Sequence, residues 1–431
     1  MENNAPLNDI NVLDASGAIG HYAGKLLADL GANVIKIEPI QGDSTRNFAP
    51  YLPNVESPEN SLQFILLNAN KQSIALNIES EEGLKIFHKL IENADILIES
   101  WSNEEKAKIG IAHKKLIEIN PELIHTSITG WGTHGDKADW AYADITGVAM
   151  SGVMNLAGFL DGPPENLPDQ QGYHCASMHG AAGALTAIYS KEFNNSGGQL
   201  VEVSMQESLS IAQEIAMQNW DIREFIPQRT GESSQVNPMN LPGFGLYECK
   251  EGMVYMMTTG TAGAGFAGLV EMMDKHDMAG DLKEEPHWTF IQTQMNGANL
   301  RNLLTDEETK DKTREFLDHI ENIVTSFMNS YSARYIYEYG QSNRVLVGII
   351  STPEDISNDE HLKERNWFQE INDTNRNVSL RYPGFPYHLS NNPPSLRTPA
   401  PLLGEHTDKI LNQLNYTNEK ITELRKKEII K

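Results

Sequence analysis

Short apolar runs recur through the first third of the chain, at residues 10–13, 34–37, 73–76, 96–98 and 124–128. Between them, stretches such as 20–30 and 82–92 carry apolar residues at helix spacing. Runs this short and this continuous read as strands buried on both faces. Strands alternating with helices of 10–15 residues predict parallel βαβ units and a doubly wound, Rossmann-like α/β sheet. Residues 147–160 are small and apolar, and a Pro-rich loop follows at 161–168. A long helix is predicted over 177–193, stopped by Asn194-Asn195-Ser196-Gly197-Gly198 and followed by a strand at 201–204.

The texture changes after about residue 225. Pro227, Gly231, Pro238, Pro242, Gly243 and Gly245 mark a connector, and 252–259 reads as a hairpin arm and strand. Residues 266–339 are mostly helical and rich in charge. Residues 345–368 begin a return, 383–403 is extended, and 404–414 opens a terminal helix. The expected organisation is a large α/β domain from residues 1–224, a smaller α+β domain at 225–345, and a return through 346–431 that completes the large domain.

A chain of 431 residues can bury a large core. Its net charge of −25 argues against nucleic-acid partners and anionic membrane surfaces, both of which need basic patches. No apolar run reaches the ~18 residues of a membrane span. Met1-Glu2-Asn3-Asn4 lacks the basic and apolar regions of a secretory signal, and only Cys175 and Cys249 are present. A cytoplasmic protein without disulfides is the expectation.

Several blocks carry chemistry. In order they are Val12-Leu13-Asp14; Asp29-Leu30-Gly31-Ala32-Asn33-Val34-Ile35-Lys36-Ile37-Glu38-Pro39 with Gly42-Asp43 and Arg46; and Asn68-Ala69-Asn70-Lys71-Gln72-Ser73. Asn120-Pro121-Glu122, Gly198-Gln199-Leu200-Val201 and Pro399-Ala400-Pro401-Leu402-Leu403-Gly404-Glu405-His406-Thr407-Asp408 follow. None is a Gly-x-Gly-x-x-Gly fingerprint, so dinucleotide binding has no support. His174 and His179 lack further ligands at metal spacing, so no metal is expected. As an ordered series over essentially the whole chain, the blocks resemble the family III CoA-transferases. That resemblance implies an interlocked dimer with active sites at the interface and coenzyme A or an acyl-CoA as substrate. It also places CoA contacts at Asn70, Lys71, Ser100, Trp101 and Lys108. For Lys71 and Lys108, the residues by themselves are equally consistent with solvated surface lysines.

The family's catalytic aspartate attacks a donor thioester, forms a mixed anhydride, and then holds CoA as an aspartyl thioester. The matching stretch here, Gly172-Tyr173-His174-Cys175-Ala176-Ser177-Met178-His179-Gly180, places Tyr173 at that position. A phenol with a pKa near ~10 cannot form the anhydride. Two further departures accompany it. Ile19 stands where the formyl-CoA transferase-like members have glutamine, and residues 231–240 lack the glycine run that in those members folds over the intermediate. The racemase branch needs the same aspartate and a histidine before the position of Asp144, which is Ala143 here.

Rescue by neighbouring groups can be weighed from their chemistry. His174 and Cys175 adjoin Tyr173, but adjacent side chains usually diverge and a lone cysteine is commonly an inert buried one. Asp161, Glu165 and Asp169 precede it on a loop that would have to be remodelled. The leading expectation is a non-catalytic subunit whose homologous partner carries the aspartate, as in the branch that handles benzylsuccinate. Such an enzyme moves CoA from an acyl-CoA such as succinyl-CoA to a carboxylic acid such as an aryl-succinate. The alternatives are a self-contained CoA-ester lyase or isomerase, and a CoA-ester binding protein without turnover.

Overall fold

In the computed structural model, which describes residues 5–52, 56–159, 161–213, 216–229, 241–258 and 264–431, the apolar runs become a parallel sheet. Its strands are β1 (Asn11–Ala15), β2 (Asn33–Glu38), β3 (Lys71–Ala75), β4 (Ile96–Glu99), β5 (Ile124–Thr129) and β6 (Gln199–Ser204). The order is β3-β2-β1-β4-β5-β6, with every neighbouring pair parallel. The chain thus starts at a central strand and winds outward in both directions, which is the Rossmann order.

Both faces of this sheet are buried because successive strand side chains point to opposite sides. Val12, Val34, Ile96, Ile98, Ile124 and Ile128 pack on one face with helices His21–Asp29 and Gln171–Asn194. Leu13, Ile74, Leu97 and Leu123 pack on the other with helix Glu81–Ile91 and the terminal helices Thr407–Gln413 and Asn418–Lys426. Both ends of the chain therefore build one compact unit, residues 1–154, 166–217 and 360–431. An antiparallel pair, β10 (Gln369–Asp373) and β11 (Val378–Tyr382), belongs to the same unit.

The second unit comprises residues 155–165 and 218–359. In it, β7 (Phe244–Glu248), β8 (Met253–Met257) and β9 (Val347–Ile349) form an antiparallel sheet. Helices from Gly265–Asp274 to Ala333–Ser342 bury Leu269, Met273, Leu282, Ile320 and Phe327 against that sheet. No helix among the described residues is long and apolar enough to cross a membrane.

The long helix departs from the pattern of the sequence. The helix predicted over 177–193 begins six residues earlier, so that it spans Gln171–Asn194 and carries Tyr173 in its first turn. The sequence shows no start signal there, because Gln170 makes no side-chain cap. The cap comes from elsewhere: Asp144 Oδ1 accepts the Tyr173 N–H at 2.8 Å. A carboxylate at a helix N-terminus satisfies an orphan donor and opposes the positive end of the dipole. Gly172 is required at this approach, since a Cβ there would sit 2.9 Å from the same oxygen.

Candidate functional site

The carboxyl ends of β1, β2 and β4 open into a cleft of about 830 Å³. Ser16, Glu38, Asp43, Ser100, Trp101 and Lys108 are among its lining residues. Ligands of open α/β sheets bind at such strand ends, where the winding reverses. A second cavity of about 590 Å³ shares Gly17, Ser44 and Ser100 with it and reaches Ile19, Tyr142, Asp144, Asp169 and Tyr173.

A buried charge network holds the cleft wall. Lys36 and Asp14 lie on the strand face that also carries Val12 and Val34, and both are fully buried. Lys36 Nζ donates to Ser16 O at 2.5 Å and pairs with Asp43 Oδ2 at 3.2 Å, joining the loops after β1 and β2. Burial pushes the Asp14 carboxyl up, but Lys36 and Lys71 together hold it well below the ordinary range. His21 is held below its usual pKa by burial and by Lys36, so its Nε2–H donates to Asp43 at 3.2 Å. Arg46 chelates Glu38 at 2.6 and 2.8 Å and also bonds Pro401 O. Gly404 N donates to Ser73 Oγ at 2.9 Å, so the 399–408 string is a clamp on the sheet edge.

Asn70 and Lys71 are not among the residues lining either cavity. Asn70 adopts a left-handed φ of 66°. Its amide donates to Asp29 and Ser395 O, and its oxygen accepts from Arg397 N and Thr398 N. Lys71 is fully buried and spends its three donors on Asp14 at 2.7 Å and on His21 O and Asn68 at 2.9 Å. Burial lowers its pKa to about 8 against the pull of Asp14. It is not a solvated surface lysine.

Ser100, Trp101 and Lys108 do come together. Ser100 Oγ accepts the Gly17 N–H at 2.8 Å, tying the β1 loop to the end of β4. Buried Glu99 fixes the Trp101 main chain by accepting its N–H at 2.7 Å, and also holds Lys106 and His125, each at 3.1 Å. Lys108 faces solvent and pairs with Glu79 at 3.3 Å. Trp101 brings an aromatic ring and Lys108 an exposed ammonium to the cleft lining.

In the second cavity the rings of Tyr173 and Tyr142 meet edge to face at 6.5 Å. Burial and the Asp144 carboxylate push the Tyr173 phenol above its ordinary pKa. Burial, with Tyr173 beside it, does the same to Tyr142. Both stay protonated at neutral pH, so neither supplies an anionic nucleophile. His174 turns to Tyr22, with ring centroids 5.0 Å apart, and is held neutral chiefly by burial. Cys175 points the other way and donates to Ser208 O at 3.2 Å; burial raises its pKa, against thiolate formation.

The sequence did not single out Tyr142 or the buried Lys36–Asp43 pair. A lysine inside an otherwise apolar strand, Val34-Ile35-Lys36-Ile37, was the available signal for the pair. The glycine-poor stretch 231–240 lies outside the described residues.

The family model for CoA-transferase family III matches residues 7–407. This chain belongs to the family III CoA-transferases. A Thauera aromatica protein named succinyl-CoA:(R)-benzylsuccinate CoA-transferase subunit BbsE is 30% identical over 413 residues, 94% of this chain and 93% of that one. The formyl-CoA:oxalate CoA-transferase of Streptomyces coelicolor is 28% identical over 441 residues, covering 98% of this chain and 99% of its own length. A solved CAIB/BAIF family protein from Brucella suis superposes with a TM-score of 0.79 at 21% identity, covering 95% of this chain and 100% of that one. Membership makes CoA thioesters the substrates of the enzyme to which the chain contributes.

Proposed function

We propose that this chain is the non-catalytic subunit of a heteromeric family III CoA-transferase. In this reading, a homologous partner supplies the aspartate that takes up the acyl group. The observation that carries it is Tyr173, a protonated phenol facing a cavity where the resemblance requires a carboxylate. The 830 Å³ cleft holds the nucleotide end of CoA, with Trp101 against the base and Lys108 released from Glu79 to a phosphate. Asn70 and Lys71 act from behind by positioning Asp14 and the C-terminal clamp.

Two relatives are named as subunits: BbsE, and the beta subunit of a Chloroflexus aurantiacus succinyl-CoA–L-malate CoA-transferase. Both names support a succinyl-CoA donor and a dicarboxylic acceptor for the complex, and the BbsE name alone supports one of the benzylsuccinate type. Exposed Met178, Tyr189 and Phe193 on the Gln171–Asn194 helix support burial against a sister chain in an interlocked dimer.

The test is co-expression with a related chain that has the aspartate, followed by borohydride or hydroxylamine trapping during turnover. The label should appear on the partner and none on this chain. One observation favours a self-contained enzyme: Asp169 opens into the same cavity as Tyr173. A trapped adduct on Asp169, or on any residue of this chain, would establish that reading instead.

A further inference from the structure

We propose that Asp281, His287 and His319 form a binding site for one borderline transition-metal dication, with zinc the best match. The three lie in the second unit, remote in sequence from every motif discussed above. Asp281 sits in the turn after helix Gly265–Asp274, His287 opens helix His287–Gln294, and His319 projects from helix Lys310–Met328. Their candidate ligand atoms all fall within 4.8 Å of one another.

The spacing agrees with what a small ion demands. Tetrahedral ligands at zinc bond lengths are separated from each other by about 3.3 Å. Here Asp281 Oδ1 lies 2.8 Å from His319 Nε2, and Asp281 Oδ2 lies 3.4 Å from His287 Nδ1. An ion would take the place of these imidazole–carboxylate contacts, with the side chains rotating to exchange them for metal bonds. Two imidazoles and one carboxylate suit zinc, cobalt or nickel, whereas calcium and magnesium require mostly oxygen ligands.

The surroundings fix the ligands while leaving an open position. His287 stacks on Phe316 with ring centroids 4.6 Å apart, and Phe316 also lies along the ring of His319. The side chains remain 29%, 41% and 45% exposed for His287, Asp281 and His319, so water can complete the coordination. A bound ion would cross-link the 281–287 segment to the helix Lys310–Met328. The adjoining Leu282 and Ile320 are buried in the core of this unit, which gives the link a structural role outside acyl transfer.

Chelator-treated full-length protein is titrated with Zn²⁺ by calorimetry, with Ca²⁺ as the hard-cation control. One equivalent of Zn²⁺ should bind and none of Ca²⁺, and His319→Ala and His287→Gln should each weaken binding by more than about tenfold. The Co²⁺ adduct should show a nitrogen- and oxygen-ligand spectrum without a thiolate charge-transfer band. Equal uptake of Ca²⁺, unchanged Zn²⁺ binding in folded His319→Ala and His287→Gln, or a thiolate band from Cys175 or Cys249 would each overturn the proposal. Failure to bind any Zn²⁺ would do the same. CoA-transfer activity is not read in this experiment, so its outcome is independent of the subunit assignment.

Discussion

The two cavities that meet at Gly17, Ser44 and Ser100 were built by different means. The larger lies at the carboxyl ends of parallel strands, and its wall is braced by Lys36, Asp14, Asp43 and Arg46, all buried. The smaller depends on side chains, with Tyr142, Asp144, Asp169 and Tyr173 setting its chemistry. In the proposed reading, the residue at position 173 bears on the smaller cavity alone, since Tyr173 does not line the larger one.

The largest expected effect tests the bracing. Lys36→Met takes the buried cation from Asp43 and leaves Asp14 with Lys71 alone, and breaking such a buried pair costs ~3–5 kcal/mol. Urea denaturation measures this loss; a change smaller than ~1 kcal/mol would mean that the cleft wall stands without the network.

Next comes the smaller cavity. In a complex whose partner has lost its aspartate, Tyr173→Asp should restore less than about one hundredth of transfer, because the donors around it are not placed for the intermediate. Ile19 still offers no hydrogen bond there. Recovery of substantial turnover would show that position 173 alone separates the two kinds of subunit.

A direct contrast between the cavities comes from binding. Lys108→Ala should weaken CoA binding by about three- to tenfold, the worth of one exposed charge contact, while Tyr173→Phe should leave it unchanged. Calorimetry on both variants reads the difference. Equal losses would merge the two cavities into one energetic unit.

The smallest effect is one of pH. His21 has its folded pKa held below its ordinary 6.5, so the unfolded chain binds the proton first as pH falls. The stability that neutral His21 contributes is complete above about 6.5 and is lost as pH drops from there toward its folded pKa. Asp14 and Asp43 add a further loss only below their ordinary 3.8. Urea midpoints between pH 7.5 and 5 should decline, and less steeply in His21→Gln. An identical slope in that variant would remove His21 from the brace.

The parallel sheet was legible because apolar runs and helix spacing are local properties, and both faces of each run had to be covered. The residue type of Tyr173 was legible in the sequence, and its reading as a replaced carboxylate remains the proposal made above. Only the tertiary structure decided what that tyrosine faces, because Asp144 caps the Tyr173 N–H in the helix's first turn from 29 positions away. It also decided the roles of the lysines. Lys71 and Lys108 look alike in sequence, yet one spends every donor inside the protein while the other faces solvent. Burial and partner geometry arise when distant segments meet: Asn70 against Arg397, Arg46 against Pro401, His319 against Asp281. Those meetings are set by how the chain returns to its own sheet and core, and no window of sequence contains them.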